Sequence, residues 1–158
     1  MPKIELETKI NSKIEICFDL SRSIDLHKIS IAKSNEKAID GKTSGLIGLD
    51  EFVTWKATHF GITQKLTSKI TEYKRPLHFK DEQTKGVFKL INHDHYFEIK
   101  NNIVVMKDVF EFQSPFGIIG KLFNYIILTK YMKKLLTVRN ETIKDFAETE
   151  KWKTILNE

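Results

Sequence analysis

Cysteine, proline and glycine are all scarce in this chain of 158 residues, which carries one, three and seven of them respectively. The single cysteine, Cys17, excludes an internal disulfide, and beside apolar neighbours it reads as inert packing. A run long enough to cross a bilayer is also missing. The longest apolar stretch, Phe116 to Leu128, is interrupted by Lys121 and Asn124 and falls short of a span. The opening residues, Met-Pro-Lys-Ile-Glu-Leu-Glu, lack the basic-then-apolar pattern of a secretory signal, so the expectation is a cytoplasmic protein. There is no basic block either. The net charge of +5 comes from 26 Lys and Arg against 21 Asp and Glu, spread along the chain with no aromatics interleaved for base stacking, and no nucleic-acid partner is expected. A nucleotide loop is excluded at Gly41-Lys42-Thr43, because the glycine such a loop needs five residues earlier is Glu36.

What is present is a core. With 41% hydrophobic residues and 11 phenylalanines, residues 1–158 fit one domain. Lys3 to Ile10 alternates as a half-buried strand. Ser12 and Glu15 have capping-box spacing for a short helix that buries Ile14 and Phe18, and Ser23 starts a second helix over Ile24 to Ile29. Gly41, Gly45 and Gly48 then punctuate a strand and irregular connections up to Asp50.

From Glu51 onward the chain reads as antiparallel strands. Phe60-Gly61 forms a two-residue hairpin turn that sets Trp55 opposite Leu66 and Ala57 opposite Gln64. Val53, Trp55, Ala57, Gln64, Leu66, Ser68 and Ile70 then share an inward face, and a one-residue slip would bury four lysines. After a turn at Tyr73 to Pro76, Leu77, Phe79, Asp81 and Gln83 continue that face. Phe88 and Leu90 match it while Ile91, His93, His95 and Phe97 have the opposite parity, which predicts a bulge near Lys89 to Ile91. Asn101-Asn102 closes the last hairpin, pairing Phe97 with Met106, His95 with Asp108 and His93 with Phe110. A long helix follows from Ser114 to Ala147, with Pro115 at its first position and a stripe of Ile119, Leu122, Phe123, Ile126, Ile127, Tyr131, Leu135, Val138, Thr142 and Phe146.

A strand, two short helices, a run of antiparallel strands and a long last helix make an α+β, helix-grip arrangement, with a cavity expected between the curved sheet and the helix. The segments Ser44-Gly45-Leu46-Ile47-Gly48-Leu49, Val53-Thr54-Trp55, His59-Phe60-Gly61-Ile62, Leu66-Thr67-Ser68-Lys69-Ile70 and His93-Asp94-His95-Tyr96-Phe97 carry a closer likeness. They resemble the SRPBCC superfamily of START-like and birch-pollen-allergen-like proteins, in particular a bacterial ligand-binding or polyketide-cyclase-like branch. Pro115-Phe116-Gly117-Ile118-Ile119-Gly120 is similar as well, whereas Ile91 stands where that branch has a tryptophan. The resemblance implies a sheet of about seven strands wrapped around the C-terminal helix, and an apolar pocket that different members use for lipids, hormones, polyketides or a protein client.

The residues themselves single out His93, His95 and Asp108, polar groups on an otherwise apolar face that burial forces to find partners. Pairing of His95 with Asp108 across the strands satisfies both. The expected wall of the cavity comprises Trp55, Gln64, Leu66, Phe79, Asp81, His93, His95, Phe97, Met106, Asp108, Phe110, Phe112 and, from the helix, Phe123. The function expected is binding of a small hydrophobic or amphipathic molecule, a lipid or aromatic metabolite, without a cofactor. The alternatives are a cyclase, dehydratase or hydrolase using His95 as a base oriented by Asp108, a metal face of His93, His95 and Asp108, and a membrane- or protein-interaction module through Phe116 to Tyr125.

Overall fold

The computed structural model describes residues 1–114 and 117–157, and the side chains of all of these except 120, 121, 123 and 124. Strand β1 (Lys3–Ile10) leads into α1 (Ile14–Ser21) and α2 (Ile24–Ser30), followed by β2 (Lys37–Gly41), β3 (Phe52–His59), β4 (Ile62–Lys74), β5 (His78–Lys85), β6 (Leu90–Lys100) and β7 (Ile103–Gln113). Helix α3 (Gly117–Phe123), a π-helical turn (Asn124–Leu128) and α4 (Thr129–Glu148) then run on from one another, and α5 (Trp152–Leu156) closes the chain.

The strands form one antiparallel sheet of seven in the order β1-β7-β6-β5-β4-β3-β2. Its long hairpins take the register that the turn residues dictate. Phe60 and Gly61 both have positive φ, as do Asn101 and Asn102, which is the backbone that two-residue hairpins require. Trp55 therefore faces Leu66, Ala57 faces Gln64, His95 faces Asp108 and His93 faces Phe110. On the convex face, threonines pair across β3 and β4, with Thr54 Oγ1 2.8 Å from Thr67 Oγ1.

Three local expectations are corrected. Helix α1 has Lys13 as its N-cap, with no side-chain hydrogen bond, so the Ser12–Glu15 capping box does not form; Glu15 still lies in the first turn, where a negative charge is favourable. Ser23 does cap α2, accepting from the Leu26 N–H. There is no bulge in β6: its register is unbroken with β7 from Leu90 and with β5 from Asn92 to Tyr96, and the change of parity falls in the connection at 86–89. The register shifts of the sheet lie between β2 and β3 and between β4 and β5.

The third correction concerns the last helix. Its fully buried residues are Leu128, Leu136, Arg139, Asn140, Ile143 and Ala147; of the expected stripe, Tyr131, Leu135 and Phe146 are half-buried beside them and the rest of its described apolar members are not. Ile119 is 83% exposed, and Ile118, Leu122, Tyr125, Ile126, Ile127 and Val138 also face solvent. Phe123, Pro115 and Phe116 fall outside what the structure describes, so the expectations placed on them do too. The physical reason for the offset is that the helix turns two polar residues, Arg139 and Asn140, inward to meet a buried charge on the sheet. Counting apolar residues alone rotates the helix away from them.

Two clusters hold the layers together. Under α1, Phe18 packs edge-on against Tyr73, Phe79 and Phe97 at centroid distances of 5.3–5.5 Å, joined by Cys17, Met106, Val104 and Ile143. Burial pushes the Cys17 thiol up to about 12, so it stays protonated and unreactive. The second cluster joins Ile4, Ile91, Phe110 and Phe112 to Leu128 and Leu136. Among the described residues no helix is long and apolar enough to cross a membrane.

Candidate functional site

Where the sheet curves away from α4, a cavity of about 420 Å³ remains. Alternation along the strands supplies its floor: Val53, Trp55 and Ala57 from β3, Leu66, Ser68 and Ile70 from β4, Phe79 from β5. Leu128, Tyr131, Met132, Leu135 and Leu136 form the roof, and Ile24 and Ile31 close one side. Phe60, Ile62 and Val87 border it and are exposed, which places its opening at that end.

Of the expected wall, Trp55, Gln64, Leu66, Phe79, Asp81, His93, His95 and Phe110 line the cavity. Phe97, Met106, Asp108 and Phe112 do not. Phe97 and Met106 are packed under α1, where Ser21 Oγ lies 3.4 Å from the Met106 sulfur, and Phe112 is fully buried against Phe88 and Phe110. The reason is geometric: α1 and the C-terminal half of α4 cover the turn end of the β6–β7 hairpin, which carries Phe97 and Met106, while Phe112, at the opposite end, belongs to the cluster with Ile91, Leu128 and Leu136.

Asp108 sits behind the wall as the centre of a polar network. It is 0% exposed, and four groups from two elements, β6 and α4, converge on it. His93 Nε2 donates to Oδ1 at 2.8 Å, Asn140 Nδ2 donates to Oδ2 at 2.6 Å, Arg139 Nη1 lies 3.3 Å from Oδ1, and His95 Nδ1 lies 3.1 Å from Oδ1. Arg139 also reaches the Ser21 carbonyl at 3.0 Å, the Asn140 side-chain oxygen at 3.0 Å and His95 Nδ1 at 3.4 Å. Burial alone would raise the Asp108 carboxyl, but the two histidine hydrogen bonds and the Arg139 charge hold it well below the usual carboxylate range.

Nearer the cavity, Asp81 lies directly opposite His93 on β5. His95 Nε2 is 3.2 Å from Asp81 Oδ1, and His93 Nδ1 is 3.7 Å from the same oxygen. Burial opposes ionisation of Asp81, yet the His95 hydrogen bond and the neighbouring charges keep its carboxyl below the ordinary value. Burial, and then the His95 charge, lower His93, so at neutral pH its imidazole is uncharged. The ring of His95 stacks on Phe79 at 4.1 Å and contacts His93 at 3.7 Å, which fixes both orientations.

A second polar group stands on the cavity wall. Glu36, between α2 and β2, is approached by His59 Nε2 at 3.2 Å and His27 Nε2 at 3.7 Å, while His59 Nδ1 bonds the Tyr131 hydroxyl. His27 in turn packs on Trp55 with ring centres 4.4 Å apart. Burial would raise the Glu36 carboxyl, but its two histidine partners bring it down to about 2. Sequence reading misses Glu36, His27, Tyr131 and Arg139. Only Arg139 offers a usable signal: it is the one cation on the 128, 132, 136, 139, 143, 147 spacing, in a chain whose inward face carries unpaired carboxylates.

A depressed carboxyl gives stability that is present above its unfolded value, 4.5, and is lost as the pH falls through the folded value of about 2. Glu36→Gln should therefore cost up to about 3 kcal/mol at neutral pH, by about 1.4 kcal/mol per unit. In urea titrations the gap between wild type and variant should close between about pH 5 and about pH 2; a gap unchanged at about pH 2 would contradict the pairing of Glu36 with the two histidines.

Known structures share this architecture. TTHA0849 from Thermus thermophilus is similar with a TM-score of 0.70 at 14% identity, over 90% of this chain and 97% of that one. A START superfamily protein from Mycobacterium smegmatis is similar with a TM-score of 0.68 at 6% identity, over 92% and 97%. Ginseng major latex-like protein 151 from Panax ginseng gives 0.63 at 13%, over 94% and 98%. No family model and no curated protein matches the chain. Likeness at these identities shows the fold alone: a helix-grip architecture, one curved antiparallel sheet of seven strands around a long last helix.

Proposed function

We propose that the protein binds one small hydrophobic or amphipathic molecule in the cavity between the sheet and α4. The observation that carries this reading is the cavity itself: about 420 Å³, within the range of ligand pockets, walled mainly by aliphatic and aromatic side chains and given direction by few polar groups. Burial of the guest against Trp55, Leu66, Ile70, Phe79 and Phe110 supplies affinity at roughly 25 cal/mol per Å² of apolar area, less the cost of association. The polar groups narrow the chemistry. Glu36 and Asp81 are both ionised carboxylates, and the two guanidiniums on the lining, Arg139 and Arg22, are already committed to Asp108 and Asp19. A guest with hydroxyl or amine donors fits such a wall; a free carboxylate placed there meets repulsion.

A neutral aromatic dye such as 1-aminoanthracene tests the reading without knowledge of the natural guest. Titration should give a saturable rise in emission with one site per chain, whereas a linear rise no larger than that with an unrelated protein would count against an accessible apolar cavity.

A further inference from the structure

Three metal-ligating side chains converge at the cavity wall in a way that the binding of an apolar guest does not require. Asp81 comes from β5, and His93 and His95 come from one face of β6; the donor atoms of the three all lie within 4.8 Å of one another. The cavity-facing atoms are identified by what their opposite sides do. His93 Nε2 is held by Asp108, leaving Nδ1 toward Asp81 at 3.7 Å; His95 Nδ1 faces Asp108, leaving Nε2 toward Asp81 at 3.2 Å.

We propose that Asp81, His93 and His95 form a two-histidine, one-carboxylate site for a divalent transition-metal ion, Zn²⁺ being the reference case. Ligand bonds of about 2.0–2.2 Å place neighbouring donors about 3–3.4 Å apart; the 3.2 and 3.7 Å to the Asp81 oxygen lie close to that spacing, and the two imidazole donors, within 4.8 Å of each other, close onto the ion by side-chain rotation. The surroundings match too. Metal-bound imidazoles commonly carry a carboxylate on the far nitrogen, and here the same carboxylate, Asp108, stands 2.8 Å from His93 Nε2 and 3.1 Å from His95 Nδ1. Asp108 is anchored from α4 by Asn140 and Arg139, so both rings are oriented before an ion arrives. To ligate, His95 moves its proton from Nε2 to Nδ1, toward Asp108, with no net proton exchanged; Nδ1 then gives up its 3.4 Å contact with Arg139 Nη2, which keeps the Ser21 carbonyl as its acceptor. With neutral imidazoles, two carboxylates face one guanidinium, and the single excess negative charge favours a cation. The three donors occupy one side of the ion. Its remaining positions open onto the cavity, where water or a polar group of a guest can complete them.

The sequence places Asp108 among the ligands; the structure puts it behind them and brings Asp81 forward in its place. Metal binding does not depend on a guest, so the two ideas fail separately. Protein stripped with a chelator and desalted should take up one Co²⁺ per chain with visible ligand-field absorption, and Zn²⁺ should displace it. Zn²⁺ should also raise the unfolding temperature of the wild type. Asp81→Asn and His95→Gln, each checked by circular dichroism, should weaken Co²⁺ by about 100-fold or more, and Asp108→Asn by about 10-fold through loss of ring orientation. The proposal is overturned if neither Co²⁺ absorption nor Zn²⁺ stabilisation appears in the wild type, or if uptake persists undiminished in Asp81→Asn and His95→Gln.

Discussion

Asp108→Ala should lower the stability of this protein by about 3–5 kcal/mol, the largest loss expected from any single substitution away from the apolar core. The carboxylate accepts from His93 at 2.8 Å and Asn140 at 2.6 Å and faces Arg139 at 3.3 Å, all buried. Its removal leaves the buried Arg139 guanidinium without its hydrogen-bonded counter-charge and the Asn140 amide without its acceptor. Buried pairs add little when intact, but removing one partner exposes the full desolvation cost of the other. At about 2–4 °C per kcal/mol for a chain of this size, the melting temperature should drop by about 6–20 °C. Asp108→Asn, which keeps shape and part of the hydrogen bonding, should cost less. The double variant Asp108→Ala, Arg139→Met should recover stability relative to Asp108→Ala alone, because it removes the stranded charge. Denaturant titration in the presence of a chelator measures all three. A loss under about 1 kcal/mol for Asp108→Ala would mean that the network does not join α4 to the sheet.

Ser68→Trp should abolish guest binding while leaving the fold intact. Ser68 lies in the middle of β4, opposite Val53 on one side and Gln83 on the other, with its side chain on the cavity wall. An indole there projects into empty volume, so the overpacking penalty of a filled core does not apply, and it occupies a large part of the about 420 Å³ available. Affinity for 1-aminoanthracene should fall by at least tenfold, about 1.4 kcal/mol, with an unchanged circular dichroism spectrum and equal or higher stability. Ala57→Phe, on the neighbouring strand, provides an independent obstruction with the same expected result. Unchanged dye affinity in both variants, each folded, would place the dye elsewhere on the molecule.

Much of this architecture is legible in the sequence because turns and strand parity are local. Phe60-Gly61 and Asn101-Asn102 fix two hairpins, and from them follow the pairs that bring Trp55, Leu66, His93, His95 and Phe110 onto one face. The last helix is legible in extent but not in rotation. Arg139 and Asn140 face inward for a reason that lies some 30 residues away, at Asp108, and no periodicity count assigns a buried position to a guanidinium. For the same reason parity alone sets Asp108 on the cavity wall: it gives the face of a strand, while the depth at which α1 and α4 cover that face depends on packing. Glu36 illustrates the remaining gap. It lies in an irregular connection, and its partners His27, His59 and, through His59, Tyr131 come from three other elements.

The claim on which the rest stands is that the space under α4 holds a guest. Native mass spectrometry of the protein purified from more than one expression host addresses it most directly, with Ser68→Trp as control. The expected spectrum shows a fraction of the wild type carrying one additional small molecule that organic extraction recovers as an apolar or amphipathic compound, and the variant free of it. A bare polypeptide mass for the wild type from every host, with no adduct formed on adding 1-aminoanthracene, would contradict that claim.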